Sequence, residues 1–130
     1  MIYLDSSVAL AHILAENRFP PDSLWYEDIV SSKLLEYEVW TRLHRERVGP
    51  SNYDATRKLL GQIELVSLTP PVLARALEPF PVPVRTLDAL HLATLVFLQN
   101  QDKRIMLATY DDRLVAAARA LGIGIAEDML

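Results

Sequence analysis

The sequence predicts an α/β fold in which helices cover both faces of a short-stranded, mainly parallel sheet. Two apolar runs, "IYLD" at 2–5 and "RIMLATYD" at 104–111, have the length and composition of buried strands. Stretches with helical periodicity lie between these runs and weaker strand candidates, so strands and helices alternate along the chain. This alternation predicts crossover connections and a parallel sheet, with four or so strands among six or seven helices.

The first half of the chain is predicted to be mostly helical after its opening strand. The breaker "RFPPDS" separates a helix in "VALAHILAEN" from a short helical stretch around "LWYEDI". A strand "IVSS" leads into the long helix "KLLEYEVWTRLHRERVG", which we expect to end at Gly49 and Pro50 because glycine closes helices and proline cannot continue them. A further helix follows in "YDATRKLLGQI".

The second half begins with a strand "ELVSL" and a helix in "TPPVLARALEPF" that has proline in its first turn. After the extended "PVPVR", the helix "LDALHLATLVFLQN" has apolar residues on nearly every side, which predicts a central, buried helix. The strand "RIMLATYD" precedes a helix in "DRLVAAARALG" closed by Gly122, and "IGIA" is a last short strand.

Three helix starts carry side chains that favour N-capping, because hydroxyl and amide oxygens accept from free backbone N–H groups. The expected caps are Ser6 or Ser7, Ser51 or Asn52, and Thr86. No repeat, low-complexity segment or linker interrupts the series, so we expect one domain over residues 1–130.

Composition excludes several classes of protein. With no cysteine among 130 residues, disulfides and thiolate zinc sites are excluded. No apolar run approaches the roughly 18 residues of a membrane span, and no basic segment precedes the first apolar run as in a secretory signal. We therefore expect a cytoplasmic protein. A net charge of −4 argues against a general nucleic-acid coat protein, but it allows a nuclease whose carboxylates hold cations.

Acidic residues end the two clearest strands. Asp5 closes the first strand, and Asp111 closes "RIMLATYD", with Asp112 directly after it. Both ends lie at the same edge of a parallel sheet, where α/β proteins bind ligands. Each acid also has a structural interpretation, because aspartate is common in turns and as a helix cap. Singly, these residues do not decide between a site and a cap.

Asp88 lies in the first turn of the most apolar helix, and its helical neighbours include His91, Leu92 and Leu95. The helix N-terminus stabilises a negative charge by about 0.3–1 kcal/mol. Burying an ionised carboxylate without a partner costs several kcal/mol. Asp88 therefore requires a cation or access to solvent, and an exposed first-turn position satisfies the second condition.

The long helix from Lys33 offers two more acids, Glu36 and Glu38, on opposite sides of its apolar stripe. Periodicity does not say which of them faces a pocket, or whether both are solvated. Three or four converging carboxylates would suit a hard divalent cation such as Mg²⁺. A cation held in this way can activate water against a phosphodiester, which is the chemistry of a nuclease.

Four segments together resemble the PIN-domain nucleases, most closely the VapC-type toxins of toxin–antitoxin pairs. They are "MIYLDSS", "SSKLLEYEV", "RTLDALHLAT" and "LATYDDRL", which cover nearly the whole chain in family-like order and spacing. The resemblance implies a three-layer α/β/α PIN-like fold with a short-stranded, mainly parallel central sheet. It also implies Mg²⁺- or Mn²⁺-dependent endoribonuclease activity, an RNA substrate, a cognate antitoxin and a homodimer.

The family motifs match individual residues of this chain. Asp5, Asp88 and Asp111 match three of the family's acids, and Glu38 matches the acid of its "S-x-L-x-x-x-E" run, so the resemblance favours Glu38 over Glu36. These four are the expected catalytic and metal-binding residues. Glu38 can bind the metal through a water molecule, and Asp112 can share or replace the role of Asp111. Two further positions, Ser6 and Thr109, match small hydroxyl residues beside the metal.

Basic residues near the acids are candidates for phosphate contacts. Each also has a structural interpretation, as a cation at a helix end or as a partner of an acid. These residues are Arg42, Arg45, Arg85 and Arg113. The three histidines lack any zinc-hydrolase spacing, and His91 is expected to be packed or hydrogen-bonded rather than catalytic. Trp25 and Trp40 are expected to be packing residues, and they would suit a partner interface if exposed.

Other functions remain open at this level. A phosphoryl-transfer or receiver domain would need an early aspartate pair or a DxD motif, and "LDSS" supplies neither. A PIN-like RNA-processing nuclease outside any toxin pair, and a non-catalytic PIN-like module that binds RNA or protein, are the alternatives to a toxin.

Overall fold

The computed structural model describes residues 1–130 and contains one parallel sheet of five strands. The strands are β1 (Ile2–Leu4), β2 (Ile29–Ser32), β3 (Glu64–Val66), β4 (Met106–Ala108) and β5 (Gly124–Ile125). They lie in the order β3-β2-β1-β4-β5, and all four neighbouring pairs are parallel. The predicted parallel sheet is confirmed, with one more strand than the four or so expected.

Six α-helices and two short 3₁₀ helices connect and flank the strands. The α-helices are α1 (Ser6–Leu14), α2 (Leu34–Glu46), α3 (Pro50–Leu60), α4 (Pro70–Ala76), α5 (Thr86–Gln101) and α6 (Asp112–Ala120). The 3₁₀ helices are Asp22–Tyr26, where the short helix after the breaker was predicted, and Glu127–Met129. None of the helices is both long and apolar enough to cross a membrane.

The sheet separates two hydrophobic clusters. Ile2 and Leu4 of β1 pack in one cluster with residues of α1, α2 and α3. Tyr3, which points to the opposite face, packs in the other with residues of α5 and α6. Every residue of β1 is therefore buried, as expected of a central strand covered by helices on both faces. This arrangement confirms the predicted three-layer α/β/α fold.

Strand β2 matches the predicted "IVSS" in full, but the other strands are shorter than the runs suggested. The run 104–111 contributes only Met106–Ala108 to the sheet, because β1 offers three partners in register, from Ile2↔Met106 to Leu4↔Ala108. Beyond Ala108 the chain leaves the sheet and begins the turn into α6. Asp5 lies one residue past β1 and Asp111 three residues past β4, so both sit at the carboxyl edge of the sheet.

The three expected N-caps are wrong. The first is Asp5, because α1 begins directly after β1 and the aspartate takes the cap position before the serines. The second is Gly49, because Pro50 has a fixed φ that suits the first helical position and starts α3 ahead of Ser51 and Asn52. The third is Arg85, which stays extended while Thr86 is already helical.

The two predicted glycine stops have different outcomes. Helix α2 ends at Glu46, and the next residue, Arg47, caps it in the left-handed region with φ 54°, so the predicted stop at Gly49 is wrong. Gly122 follows α6 with φ 75°, a conformation that costs glycine little because it has no Cβ, and this prediction is confirmed.

Candidate active site

Asp5 is held at the sheet edge by three hydrogen bonds to one of its carboxylate oxygens. Its Oδ2 accepts from Ser7 Oγ at 2.6 Å, from Thr109 Oγ1 at 2.8 Å and from the Ser7 backbone N–H at 3.3 Å. The Oδ1 atom has no partner within the chain, and it is not among the buried unpaired atoms. Asp5 is therefore both the cap of α1 and a fixed carboxylate with one free oxygen that reaches the surface.

The same hydroxyl groups connect Asp5 to the start of α6. Thr109 Oγ1 accepts from the backbone N–H of Asp111 at 3.0 Å, and Ser7 Oγ accepts from that of Tyr110 at 3.0 Å. Asp111 caps α6 through Oδ1, which accepts from the Arg113 N–H at 3.0 Å, so its Oδ2 is free. The β1–α1 and β4–α6 junctions are thus joined through two buried or half-buried hydroxyls.

Glu38 projects from α2 toward α5, where its Oε1 lies 2.6 Å from Nε2 of His91. Its Oε2 has no partner within the chain. Glu36 instead pairs with Lys33 at 3.3 Å on the surface of the same helix. The structure therefore separates the two glutamates that periodicity left equivalent: Glu38 faces a buried histidine, and Glu36 faces a surface lysine.

The Asp88 carboxylate has no hydrogen-bond partner within the chain, and its pKa is raised by its surroundings. Burial raises the pKa of Asp88 above its usual value, and the negative charges of Asp111, Asp5 and Glu38 raise it further. The charge of His91 acts in the opposite direction. Asp5, Glu38 and Asp111 therefore all act electrostatically on one half-buried carboxyl, that of Asp88.

The acids supply only oxygen donors, which are the ligands that Mg²⁺ and Mn²⁺ prefer. Each of the four has at least one free carboxylate oxygen, and Mg²⁺ typically needs only one or two carboxylates because it keeps several waters. The donor chemistry thus fits a hard divalent cation. No group of three or more histidine, aspartate or glutamate side chains stands in a geometry that could hold a metal ion, so metal binding stays a prediction.

Two predicted positions lie apart from this network. Asp112 is exposed at the first position of α6 and lines a different surface cavity, and its charge does not act on Asp88. Ser6 makes no hydrogen bond with the acids, although it lines the same cavity as Glu38. The hydroxyl groups that contact Asp5 belong to Ser7 and Thr109.

The predicted basic residues border the acids in two groups. Arg42 and Arg45 line a cavity of about 330 Å³ with Glu38, and Arg42 is paired with Glu46 at 3.1 Å. Arg85 and Arg113 line a cavity of about 260 Å³ with Asp88. Arg45, Arg85 and Arg113 are exposed and form no side-chain ion pair. They are therefore free to contact a phosphate.

The PIN domain family model matches residues 2–120, which is most of the chain. The chain belongs to the PIN-domain family. Two curated relatives of this PIN domain come from Mycobacterium tuberculosis. "Ribonuclease VapC46" is 37% identical over 95% of both chains, and "Ribonuclease VapC47" is 31% identical over 94% of this chain and 93% of the relative. The resemblance to VapC-type PIN proteins is thereby confirmed.

A solved structure supports the PIN fold independently. A chain of a "Toxin-antitoxin complex from Klebsiella pneumoniae" matches with a TM-score of 0.62, covering 92% of this PIN domain and 94% of that chain. The sequences are 17% identical, so the likeness concerns the fold alone.

The residues that orient the acids, Ser7 and His91, were not predicted to do so from the sequence. Ser7 follows Asp5 by two positions, a spacing typical of an aspartate that bonds the backbone ahead of it. His91 was expected to be hydrogen-bonded, and it is, but its partners Tyr3 and Glu38 come from distant segments. Both tryptophans are half-buried against the core, as expected.

Proposed function

We propose that this PIN domain is a metal-dependent endoribonuclease that acts as the toxin of a type II toxin–antitoxin pair. The effect of three carboxylates, Asp111, Asp5 and Glu38, on the half-buried Asp88 is the observation that carries the proposal, because four such acids together favour a bound cation. The ribonuclease names of the VapC relatives support RNA as the substrate. The toxin–antitoxin complex with the same fold supports an antitoxin as the partner.

Asp5, Asp88, Asp111 and Glu38 are the residues that would hold Mg²⁺ or Mn²⁺, through the oxygens that have no partner within the chain. A bound ion of this kind would activate water and offset negative charge on the scissile phosphate. The chain's own contribution is to fix the carboxylates: Ser7 and Thr109 orient Asp5, and the Arg113 N–H orients Asp111. Rigid ligands of this type avoid reorganisation during the reaction.

The exposed arginines next to the acids would guide RNA to them. Arg45 lies in the cavity with Glu38, and Arg85 and Arg113 lie in the cavity with Asp88, so positive charge borders the site on two sides. Phosphate contacts of this kind position a nucleic acid without reading its sequence. Arg42, which is paired with Glu46, would contribute less. A homodimer and a cytoplasmic location remain predictions.

The decisive experiment compares the wild-type chain with Asp5→Asn and Asp88→Asn in RNA cleavage with Mg²⁺, Mn²⁺ or EDTA. Asp54→Asn is the matched control, because Asp54 is an exposed acid of α3 that pairs with Arg57 at 3.0 Å. We expect both site variants to lose cleavage and the control to retain it. Products should carry 5′-phosphate and 3′-hydroxyl ends, since water attacks the phosphate.

Four results would contradict the proposal in whole or in part. Cleavage that persists in EDTA and in both site variants would exclude the acidic cluster. Products ending in 2′,3′-cyclic phosphate would show that the ribose hydroxyl attacks instead of water. A wild-type chain that binds RNA without cleaving it would favour the non-catalytic module, and the lack of a neighbouring gene for a small DNA-binding protein would favour a nuclease outside a toxin pair.

A further inference from the structure

His91 is a buried side chain, 1% exposed, whose two ring nitrogens contact residues from two other elements. Its Nδ1 lies 2.7 Å from the hydroxyl of Tyr3 in β1, and its Nε2 lies 2.6 Å from Oε1 of Glu38 in α2. The Tyr3 and His91 rings meet edge to face, with centroids 5.9 Å apart. With both nitrogens engaged, the imidazole ring is fixed between the central strand and the acidic cluster.

The hydrogen bond between His91 and Glu38 has a defined direction. A carboxylate oxygen can only accept, so Nε2 carries a hydrogen and donates to Glu38. Nδ1 forms the second hydrogen bond with the Tyr3 hydroxyl, which can donate to or accept from the ring. Burial raises the pKa of Tyr3 well above its usual value, which keeps this hydroxyl protonated. Tyr3 therefore holds the ring from one side while Nε2 donates to Glu38 on the other.

Glu38 depends on this contact for its orientation. It is half-buried, and the bond from His91 is the one hydrogen bond that its carboxylate receives within the chain. Without it, a glutamate side chain rotates about three bonds and loses entropy on binding an ion. With it, Oε1 is occupied and Oε2 remains free, and the negative charge of Glu38 acts on Asp88 together with those of Asp5 and Asp111.

We propose that Tyr3 and His91 are positioning residues that hold the Glu38 carboxylate ready to bind the metal ion. The inference rests on the proposed function, because it takes Glu38 as a metal ligand. Hydrogen-bond partners of metal ligands affect metal affinity or activity by about 10–100-fold when they are removed. Neither Tyr3 nor His91 touches RNA or the reacting phosphate in this scheme.

The test measures Mn²⁺ binding to the RNA-free chain by calorimetry, together with kcat and KM for an RNA oligonucleotide. The variants are His91→Leu, His91→Gln and Tyr3→Phe. Leu95→Ala is the control, because Leu95 is fully buried in the same helix and its truncation affects packing without touching the hydrogen bonds. Thermal unfolding in EDTA monitors the stability of each variant.

We expect His91→Leu to weaken Mn²⁺ binding by about 10–100-fold and to lower kcat with little change in KM. His91→Gln should recover most of the affinity, because its amide N–H can replace the Nε2 hydrogen. Tyr3→Phe should weaken binding in the same direction but less. Leu95→Ala should lower the unfolding temperature and leave Mn²⁺ affinity unchanged.

Wild-type affinity in His91→Leu, equal weakening in Leu95→Ala, or a His91→Gln variant no better than His91→Leu would overturn the inference. If His91→Leu does not fold, Tyr3→Phe decides, and wild-type affinity in that variant would overturn it as well. If the wild-type chain binds Mn²⁺ and cleaves RNA while the variants give these contrary results, the proposed function still stands. A wild-type chain that does neither would refute both.

Discussion

Replacing Thr109 by valine should damage both stability and activity, because its hydroxyl connects two acids of the site. The side chain is 4% exposed, and Oγ1 donates to Asp5 at 2.8 Å while it accepts from the Asp111 N–H at 3.0 Å. Valine has the same shape but no hydroxyl. A hydrogen bond to a charged group contributes about 1.5–3 kcal/mol, and the Asp111 N–H loses its partner as well. We expect unfolding to cost about 2–3 kcal/mol less than in the wild type.

For a two-state domain of this size, that loss lowers the unfolding temperature by roughly 7–11 °C. Urea unfolding in EDTA measures the stability, and initial rates of RNA cleavage measure the activity, which should fall by about 10–100-fold because Asp5 is less well held. Thr109→Ser restores the hydroxyl and should recover both. Thr56→Val is the control, since Thr56 is buried but donates only to a carbonyl of its own helix, at 2.6 Å.

Two outcomes would refute this reasoning. Stability equal to that of the wild type would show that the Thr109 hydroxyl does not hold Asp5. Full activity in a destabilised Thr109→Val would show that the orientation of Asp5 does not matter for cleavage.

The remaining predictions concern charge, substrate contact and backbone conformation. The pKa of Asp88 is raised in the folded state by burial and then by neighbouring acids, so its contribution to stability is fully present below pH 3.8 and is lost as the pH rises through the folded pKa. In urea unfolding with EDTA, Asp88→Asn should therefore raise the midpoint more at pH 7 than at pH 4. An equal gain at both pH values would contradict this. Arg45→Ala should raise KM for RNA and reduce the salt dependence of binding by about one phosphate contact. Arg104→Ala is the control and should change neither, because Arg104 pairs with Asp102 on the surface at 3.2 Å. Gly122→Ala should lower the free energy of unfolding in urea by about 1–2 kcal/mol, because φ at this position is 75°. Gly124→Ala, whose new Cβ would lie 3.4 Å from the Met106 side chain, should lower it less. Equal losses would show that backbone strain at Gly122 is not the cause.

The sequence predicts the layers of this fold because each layer leaves a local signal. A strand buried on both faces is a short apolar run, as in Ile2–Leu4, and the central α5 is apolar on nearly every side. The caps were less predictable, because the start of a helix depends on where the preceding strand stops pairing. Asp5 is the cap and Ser7 its donor only because β1 ends at Leu4.

The candidate site shows a similar division. Asp5 and Asp111 could be placed at one edge of the sheet from the sequence, since both follow parallel strands. The difference between Glu36 and Glu38 could not be derived from helical periodicity, because it depends on His91, 53 residues from Glu38 in the chain. The partner of His91 on the other side, Tyr3, is 88 residues away. Contacts over such separations leave no local pattern.

One carboxylate oxygen of Asp5 caps α1 and binds Thr109, while the other reaches the surface. Natural selection for folding and for catalysis would therefore act on the same residue. A descendant of this domain that had lost its activity would still keep Asp5, because the helix and the Thr109 junction depend on it. Asp88 receives no hydrogen bond, and the neighbouring carboxylates disfavour its charge, so it would be replaced soon after the activity was lost. Among related sequences, an aspartate at position 88 is therefore better evidence of an active enzyme than an aspartate at position 5.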